Sequence, residues 1–361
     1  MALTNLNAVP LKNLAINGAF DYWQRFEGGT QTLTSAGEYV ADMYVSTVSG
    51  SSTKSISFQR STSVPTIAQS GFNSTYSFLC TSNTAVPSLA ANENVCVAEY
   101  RMEGLDYEKI HAKTITLNFW MNASVAGVYS IYFLNNAGTR SYITTVTQTS
   151  ASVWQLQSVT LTLDSAANSA SWNFDNTVGL KIGLCAISGS TTQTANLNQW
   201  QAGGFLSATT GTNWLATAGA TVQLAQFSIA EGPIGTTVSG FLRAGNTIQQ
   251  ELALCQRYYE KSYDIGTAPG TASSVGVSNF TAVVTGQNIN TLFFRSTKRT
   301  EGTVTFYAYA AANTTANWTL NGTTNTAATL QVSGTNSISV SVTGSSGNPN
   351  LAGHWTVESG L

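Results

Sequence analysis

The sequence predicts an all-β protein with a jelly-roll β-sandwich domain, one short linking helix and a smaller C-terminal β-sandwich domain. Three observations support this prediction: apolar and polar residues alternate in many short runs, turn-forming clusters separate those runs, and only 9% of the 361 residues are charged. Ordinary soluble proteins carry about 25% charged residues. The surface must therefore consist largely of Ser, Thr, Asn, Gln and Gly, which fits stacked sheets better than a helical enzyme.

The clearest strands have an apolar side chain at every second residue, the period of a half-buried strand. The run Ile115–Met121 places its apolar residues on one face and Trp120 on the opposite, polar face. The same alternation predicts further strands at 159–163, 180–184, 304–308 and 338–342. Turn clusters lie between these runs, and short strands at such spacing indicate a sandwich or jelly roll.

One segment has helical periodicity. Thr247 and Gln250 fit a capping box, and apolar residues then recur at helical spacing as far as Tyr259. We therefore predict a helix over 247–261, followed by a Gly/Ala/Ser-rich loop. Since this helix separates two β-rich regions, four parts are predicted: an N-terminal arm (1–12), a jelly-roll domain (13–246), a helix and linker (247–265) and a C-terminal β domain (266–361).

The reactive side chains do not suggest a catalytic site. The two histidines, His111 and His354, fall in different predicted domains, and no common nucleophile, nucleotide or zinc motif occurs. The four cysteines have no metal-binding spacing and are interpreted as buried apolar residues. The charged stretch 99–109 is interpreted as an exposed strand edge and turn. We predict a protein that is not an enzyme and requires no cofactor.

Charge and hydropathy exclude two further classes of partner. The net charge is -2 without a basic cluster, so nucleic-acid binding is not expected. Apolar runs stay well short of the ~20 residues of a membrane span, and the N-terminal residues do not resemble a signal peptide. We therefore expect synthesis in a cytoplasm without conventional secretion, and no membrane insertion.

Tryptophans are the candidate ligand-binding residues, because exposed indole rings stack on the apolar faces of sugars. Trp120 lies on the polar face of its strand. Trp200 and Trp214 lie in a Gly/Ala/Thr-rich region where core periodicity does not account for them. These three residues are the predicted glycan-binding set, and burial in the core of a sandwich is the alternative for each.

Three sequence motifs resemble a known family. The first comprises Lys12–Arg25, with Asn-Gly-Ala-Phe-Asp and Trp-Gln-Arg, followed by Gly37–Tyr44. The second and more specific is Glu251–Lys261, with the sequence ELALCQRYYEK, and a weaker third comprises Arg299–Tyr307 and Gly353–Glu358. Together these motifs resemble bacteriophage tail-fibre and virion appendage proteins. Met43-Tyr44 departs from the Arg-Trp of that family, and the loops, where specificity would lie, match nothing.

The resemblance implies a jelly roll similar to carbohydrate-binding modules, displayed on a virion and assembled in the host cytoplasm with other virion proteins. It also implies a homo-oligomer, with a trimer favoured by analogy, and a possible structural calcium ion bound by Asn17 and Asp21. The arm 1–12 would be a candidate attachment segment, with a disordered terminus as the alternative.

Three functions are compatible with these expectations. The first is a tail fibre or spike-type appendage that binds host-surface polysaccharide non-catalytically. The second is an architectural head decoration, head fibre or collar protein without a receptor role. The third is a depolymerase, which is disfavoured because the long repeats of β-helical enzymes are not found.

Overall fold

The computed structural model describes residues 12–34, 36–50, 54–233, 241–282, 286–344 and 349–361, so all of the predicted arm except Lys12 lies outside the described residues. The chain divides into two compact units. Unit 1 contains the residues up to Asp21 together with Gly29–Glu251. Unit 2 contains Tyr22–Gly28 and Leu252–Leu361. Tyr22–Gly28 thus belongs with the C-terminal residues, although it falls within the predicted domain 13–246. No helix in the described ranges is long and apolar enough to cross a membrane.

Unit 1 is built from strands β1–β15 and two short helices. The strands are β1 Gln31–Leu33, β2 Ala36–Ala41, β3 Tyr44–Val48, β4 Ile56–Ser61, β5 Ser77–Ser82, β6 Asn94–Glu103, β7 Thr114–Ala123, β8 Gly127–Leu134, β9 Arg140–Gln148, β10 Gln155–Thr162, β11 Val178–Ser188, β12 Gln193–Thr194, β13 Trp200–Ala202, β14 Ser207–Ala208 and β15 Thr221–Glu231. The helices are α1 Ile67–Ser70 and α2 Gly104–Tyr107, and short 3₁₀ turns occur at Ala166–Ser171, Ser190–Thr192 and Trp214–Ala216.

These strands form a sandwich of two large sheets. One sheet has the order β1-β4-β5-β15-β7-β10, and the other has the order β13-β9-β8-β11-β6-β3-β2. Aromatic rings from both sheets meet in the core: Tyr44 of β3 lies edge-on to Phe227 of β15, with ring centroids 5.6 Å apart. Tyr100 of β6 contacts the same ring at 6.0 Å. The alternation in β7 and β10 therefore reflects one face in this core and one face outside it.

Unit 2 is a smaller β structure with one helix, α3 Ile248–Gln256, at whose Glu251–Leu252 bond the two units divide. Its strands are β16 Tyr259–Lys261, β17 Ser278–Thr281, β18 Gly286–Phe293, β19 Thr303–Ala308, β20 Asn317–Leu320, β21 Thr324–Ser333, β22 Ser337–Gly344 and β23 Asn350–Glu358. The main order is β16-β23-β20-β21-β22-β18, and β17 and β19 also pair with β23. The core contains Trp318, Trp355 and Val340, with Phe306 and Leu351.

The predicted all-β fold class is confirmed, since both units consist mainly of antiparallel strands and helices are short. The predicted helix over 247–261 is confirmed in place but is too long. Thr247 Oγ1 accepts from the backbone N–H of Gln250 at 3.2 Å, as expected of its N-cap. The helix ends at Gln256 because Tyr259–Lys261 pair as a strand with Thr356–Glu358. Tertiary strand pairing overrides the local helical pattern there.

Of the interpretation of 99–109 as an exposed strand edge and turn, the turn part agrees with the exposed Asp106, Glu108 and Lys109, but the strand-edge part was wrong. Residues 99–103 belong to β6, which lies between β11 and β3 inside the seven-stranded sheet. Glu99 is only 8% exposed, and its carboxylate accepts hydrogen bonds from Arg101 Nε at 2.8 Å and Tyr132 Oη at 2.8 Å. These bonds satisfy the buried charge, which explains how a charged residue fits an internal strand.

Residues of the recognised sequence motifs meet inside unit 2. Arg25 forms a bidentate ion pair with Glu358, with Nε–Oε2 and Nη2–Oε1 distances of 2.6 and 2.7 Å. The Arg25 guanidinium also lies 4.4 Å from the ring centroid of Tyr259. Lys261 pairs with Glu27, and both side chains are buried. The first motif, the helix motif and the C-terminal strand thus share one set of internal contacts.

A candidate glycan-binding groove

An open groove lies on unit 1 where the edge strand β10 approaches β9 and helix α1. Its volume is about 580 Å³, within the roughly 300–1,000 Å³ typical of ligand sites. We define this Trp120–Trp154 groove by its lining residues, which are Gln69, Trp120, Thr147, Thr149, Trp154, Gln155, Leu156 and Gln157. Of the three predicted glycan-binding residues, Trp120 lies in the groove.

The pleat of β7 and β10 explains why apolar side chains face outward here. The core face of β7 is buried and consists of Ile115, Leu117, Phe119 and Met121. Trp120 lies between the last two of these residues, so its side chain points to the opposite face of the strand. Leu156 of β10 lies directly across from Trp120 and is 38% exposed. Trp154 precedes Leu156 by two residues and shares this face. An aromatic and aliphatic surface therefore lies outside the core.

Amide and hydroxyl groups at the rim of the groove are fixed by hydrogen bonds. Gln155 Oε1 accepts from the backbone N–H of Thr149 at 2.9 Å, and Gln155 Nε2 donates to Thr149 Oγ1 at 2.6 Å. Gln157 Nε2 donates to the Thr147 carbonyl at 3.2 Å and joins the two sheets at this edge. These bonds fix the polar side chains beside the indole rings. The remaining lone pairs and N–H groups are of the kind that recognise hydroxyls.

The groove has a distinct electrostatic character, because none of the described residues that line it carries a charged side chain. Across the described ranges, neither the Trp120 nor the Trp154 indole nitrogen donates to a protein acceptor, so both donors are available to a ligand. The arrangement offers two aromatic faces, one aliphatic side chain and uncharged hydrogen-bonding groups. Chemically, it can stack apolar ring faces and bind hydroxyls, and its described lining offers no cationic side chain to a carboxylate or sulfate.

Trp200, the second predicted residue, lies apart from this lining at the start of β13. Its ring contacts Tyr142 and Trp172, with centroid distances of 5.5 and 5.3 Å. Its indole Nε1 donates to the Thr162 carbonyl at 2.9 Å. The ring is partly exposed, but it packs against two aromatic rings of unit 1 and its donor is already hydrogen-bonded.

Trp214, the third predicted residue, is 1% exposed and belongs to the interior of unit 1. Its 3₁₀ turn carries Leu215, which is also fully buried and accepts a backbone hydrogen bond from Val86. A sugar cannot stack on a ring inside the core, so the structure contradicts the proposed role of Trp214. The Gly/Ala/Thr-rich surroundings concealed this burial, because irregular segments bury side chains without a period.

Trp154 is a tryptophan of the groove that was not among the three predicted glycan-binding residues. A signal for it was present: β10 buries Gln157, Val159 and Leu161, so extending the alternation backwards places Trp154 on the outer face. The approach of Thr147 and Thr149 from the other sheet could not be found in this way, since it depends on how the two sheets pack.

The residues suggested for calcium do not fit that ion. Asp21 Oδ2 accepts from Arg243 Nε at 2.8 Å, so a guanidinium already neutralises this carboxylate. Asn17 is fully buried and its amide donates to the Asp42 carbonyl at 3.0 Å. The nearby carboxylate of Glu251 accepts from the backbone N–H groups of Asn17 and Gly245. Calcium requires six or more convergent oxygens, and within the described ranges no cluster of three or more metal-ligating side chains occurs that could contribute to such a set.

His354 also has a structural role. His354 is fully buried in unit 2, where Nδ1 lies 2.9 Å from Ser262 Oγ and Nε2 lies 2.9 Å from the Ser273 carbonyl. Nε2 must carry the proton, because a carbonyl only accepts, and Ser262 then donates to Nδ1. Burial lowers the pKa of His354. This serine–histidine pair resembles a nucleophile and its base, but it has no access for a substrate.

Comparisons with known proteins give a distant likeness of fold. Neither a family profile nor a curated protein matches the sequence. The bacteriophage CBA120 tailspike protein 4 enzymatically active domain is 11% identical with a TM-score of 0.31, over 61% of this chain and 21% of that chain. This chain therefore spans about a fifth of the length of the tailspike chain.

Two binding modules give similar values. TmCBM61 in complex with beta-1,4-galactotriose is 11% identical with a TM-score of 0.29, over 61% of this chain and 99% of that chain. The CBM22-1 xylan-binding domain of Paenibacillus barcinonensis Xyn10C is 9% identical with a TM-score of 0.27, over 58% of this chain and 97% of that chain. At these values the likeness concerns the fold alone.

Proposed function

We propose that unit 1 binds a neutral oligosaccharide segment non-catalytically in the Trp120–Trp154 groove. One observation carries the proposal: two outward-facing indoles and an exposed leucine share an uncharged groove rimmed by fixed amides and hydroxyls. Sugar rings have apolar C–H faces and hydroxyl edges, and this surface complements both. The proposed site thus follows from the chemistry of the groove.

The geometry favours a chain of sugars over a single ring. Trp120 lies across from Leu156, and Trp154 is two residues away from Leu156 on the same face. Diagonal neighbours of this kind lie about 7–8 Å apart in an antiparallel sheet. Two indoles at that spacing can stack two rings of one oligosaccharide.

We further propose that the chain is a bacteriophage virion component, namely a tail fibre or spike-type appendage that binds host-surface glycan. The resemblance of the three sequence motifs supports this proposal. A homotrimer, contacts with other virion proteins and location on the virion belong to the same proposal. Labelled antibody seen at the tail of the intact virion would support it, whereas label on the capsid would favour an architectural head protein.

The binding proposal is tested by affinity electrophoresis of the full chain in gels containing soluble neutral glucans, mannans, galactans and xylans, with alginate as an acidic comparison. We expect retardation by at least one neutral polymer and none by alginate. Trp120→Ala and Trp154→Ala should each weaken binding at least roughly tenfold, as expected for a stacked aromatic anchor.

The matched control is Trp200→Ala, which removes a partly exposed indole outside the groove. It should leave glycan retardation unchanged, with melting curves confirming that each variant is folded. Equal loss of binding in Trp200→Ala and Trp120→Ala would contradict the assignment of the groove. Release of reducing ends from a retained polymer would show that the chain is a depolymerase and not a binding protein.

A further inference from the structure

The fold brings two cysteines together that lie far apart in the sequence. Cys96 of β6 and Cys185 of β11 are direct partners in the antiparallel register of these strands. β6 and β11 are adjacent in the middle of the seven-stranded sheet. Side chains of directly opposed residues project from the same face. The two thiols therefore point the same way from neighbouring backbones.

The two thiols are buried in the same cluster, where Cys96 Sγ donates to Asn94 Oδ1 at 3.8 Å and Cys185 Sγ donates to the Val95 carbonyl at 3.7 Å. Both residues are 4% exposed and share a small core cluster with Tyr132, Ile143 and Ala208. The hydrogen bond with the Cys185 thiol, followed by burial, raises the pKa of Cys96. Irregularities in register flank the pair, between Ile182 and Leu184 and between Cys185 and Ile187. The pair thus lies in a short regular stretch between two bulges.

The backbone geometry is compatible with a covalent bond. Opposed Cα atoms in an antiparallel pair lie about 4.5–5.5 Å apart, and disulfides span Cα separations of about 4.4–6.8 Å. The other two cysteines are placed differently. Cys80 lies across from Phe58 and Val222 within its sheet, and Cys255 lies on α3. All four cysteines are reduced and buried in the structure.

We propose that Cys96 and Cys185 are a site of cross-strand disulfide formation, with a low-molecular-weight disulfide such as oxidised glutathione as the oxidant. The thiolate of one cysteine attacks the glutathione disulfide, forms a mixed disulfide and releases one glutathione thiol. The second cysteine loses its proton and attacks the protein-bound sulfur, which forms the Cys96–Cys185 bond and releases the second glutathione thiol. Two protein thiols are oxidised and one oxidant disulfide is reduced.

Burial controls when this reaction occurs. The thiolate is the attacking species, and the raised pKa of Cys96 keeps its thiol protonated in the folded state. Exchange therefore requires β6 and β11 to separate, either in refolding or in a local opening. Once formed, the bond joins two central strands of unit 1 and limits the freedom of the unfolded chain. The inference does not depend on glycan binding.

The test is to unfold the full chain and refold it in a glutathione redox buffer, in parallel with a fully reduced sample. After quenching, free thiols are alkylated under denaturing conditions and the digest is mapped by mass spectrometry. We expect a peptide pair linking Cys96 to Cys185, with Cys80 and Cys255 alkylated. The oxidised protein should melt on the order of 5–10 °C above the reduced one.

Variants identify the bond independently of stability. Cys80→Ser and Cys255→Ser should retain the linked peptide, whereas Cys96→Ser and Cys185→Ser should lose it and leave three alkylated cysteines. Since a core variant can fail to fold, the map of the wild-type chain is decisive by itself. Alkylation of all four cysteines, a bond that includes Cys80 or Cys255, or stable glutathione adducts on Cys96 and Cys185 would overturn the proposal.

Discussion

Both units bury paired charges, such as Asp164 with Arg140 in unit 1 and Glu260 with Lys298 in unit 2, but they differ in where their distinctive residues lie. Unit 1 exposes an uncharged groove of indoles, amides and hydroxyls, and its proposed function lies on that surface. Unit 2 turns several charges inward: Lys298 and Glu260 are both 0% exposed, and a second pair, Lys261 with Glu27, is almost fully buried. Residues of the recognised sequence motifs therefore form internal contacts in unit 2. The candidate binding surface in unit 1 contains none of the recognised motifs.

The largest effect is expected from breaking the buried charge pair of unit 2. Lys298 Nζ lies 2.5 Å from Glu260 Oε2 and also donates to the Gln256 carbonyl at 2.7 Å. Glu260→Ala leaves the lysine buried without its counter-charge and should lower the free energy of unfolding by about 3–5 kcal/mol. Denaturant titration measures this loss, and retardation by glycan should persist wherever the variant is folded.

An exposed pair provides the control for that variant. Lys109 and Asp106 form an ion pair with side chains that are 71% and 52% exposed, so Asp106→Ala should change stability very little. Similar losses in Asp106→Ala and Glu260→Ala would remove the distinction between buried and surface charge. A double replacement, Lys298→Met with Glu260→Leu, should recover much of the lost stability because no charge is left unpaired.

A smaller loss is expected in unit 1 at Asp164. Its carboxylate accepts from Arg140 Nε and Nη2, each at 2.9 Å, and from Trp172 Nε1 at 3.1 Å. Burial alone would raise the pKa of Asp164, but the Arg140 and Trp172 bonds outweigh it and lower the pKa. Asp164→Asn should cost about 2 kcal/mol at neutral pH, measured by denaturant titration.

The sign of the pH dependence follows from the lowered pKa. The stability that Asp164 provides is present above its ordinary pKa of 3.8 and is lost as the pH falls towards the lower folded value. The difference in stability between wild type and Asp164→Asn should therefore shrink below that pH. A difference that grows on acidification would contradict the assigned hydrogen bonds.

In unit 2, the buried His354 should give a second, milder pH dependence. Burial lowers the pKa of His354 below its ordinary 6.5, so the unfolded chain takes up a proton at a higher pH than the folded chain. Stability is fully present above pH 6.5 and declines as the pH falls below it. Thermal melting between about pH 8 and pH 5.5 measures this decline.

His111 of unit 1 requires a matched variant, because burial lowers its pKa as well. Since His354 is fully buried and His111 is partly exposed, His354→Gln should flatten the pH dependence more than His111→Gln. If His111→Gln flattens the pH dependence more than His354→Gln does, the buried network around Ser262 is not the main proton-linked site. Melting curves of both variants over the same pH range decide between these outcomes.

The smallest effect is expected from salt. Because the described lining of the groove is uncharged, binding of a neutral glycan should vary less than about twofold between roughly 0.05 and 1 M NaCl. A steep fall in affinity with salt, measured by calorimetry, would indicate an acidic ligand or a different, charged site.

Local patterns in the sequence were sufficient for much of unit 1. The period-two alternation correctly assigned β7 and β10, and it placed Trp120 on the outer face. Trp214 was misassigned because burial in an irregular turn has no period. The placement of Tyr22–Gly28 in unit 2 and the pairing of Cys96 with Cys185 depend on contacts between distant segments. Neither leaves a local pattern that could be read in advance.

The most direct test labels the eight tryptophans with 5-fluorotryptophan and follows each ¹⁹F resonance during titration with the retained glycan. Single Trp→Phe variants assign the signals. The account predicts that the Trp120 and Trp154 resonances shift with one common binding curve, while Trp214 and the unit 2 residues Trp23, Trp318 and Trp355 do not move. Saturable shifts confined to Trp200, or to any tryptophan of unit 2, would contradict it.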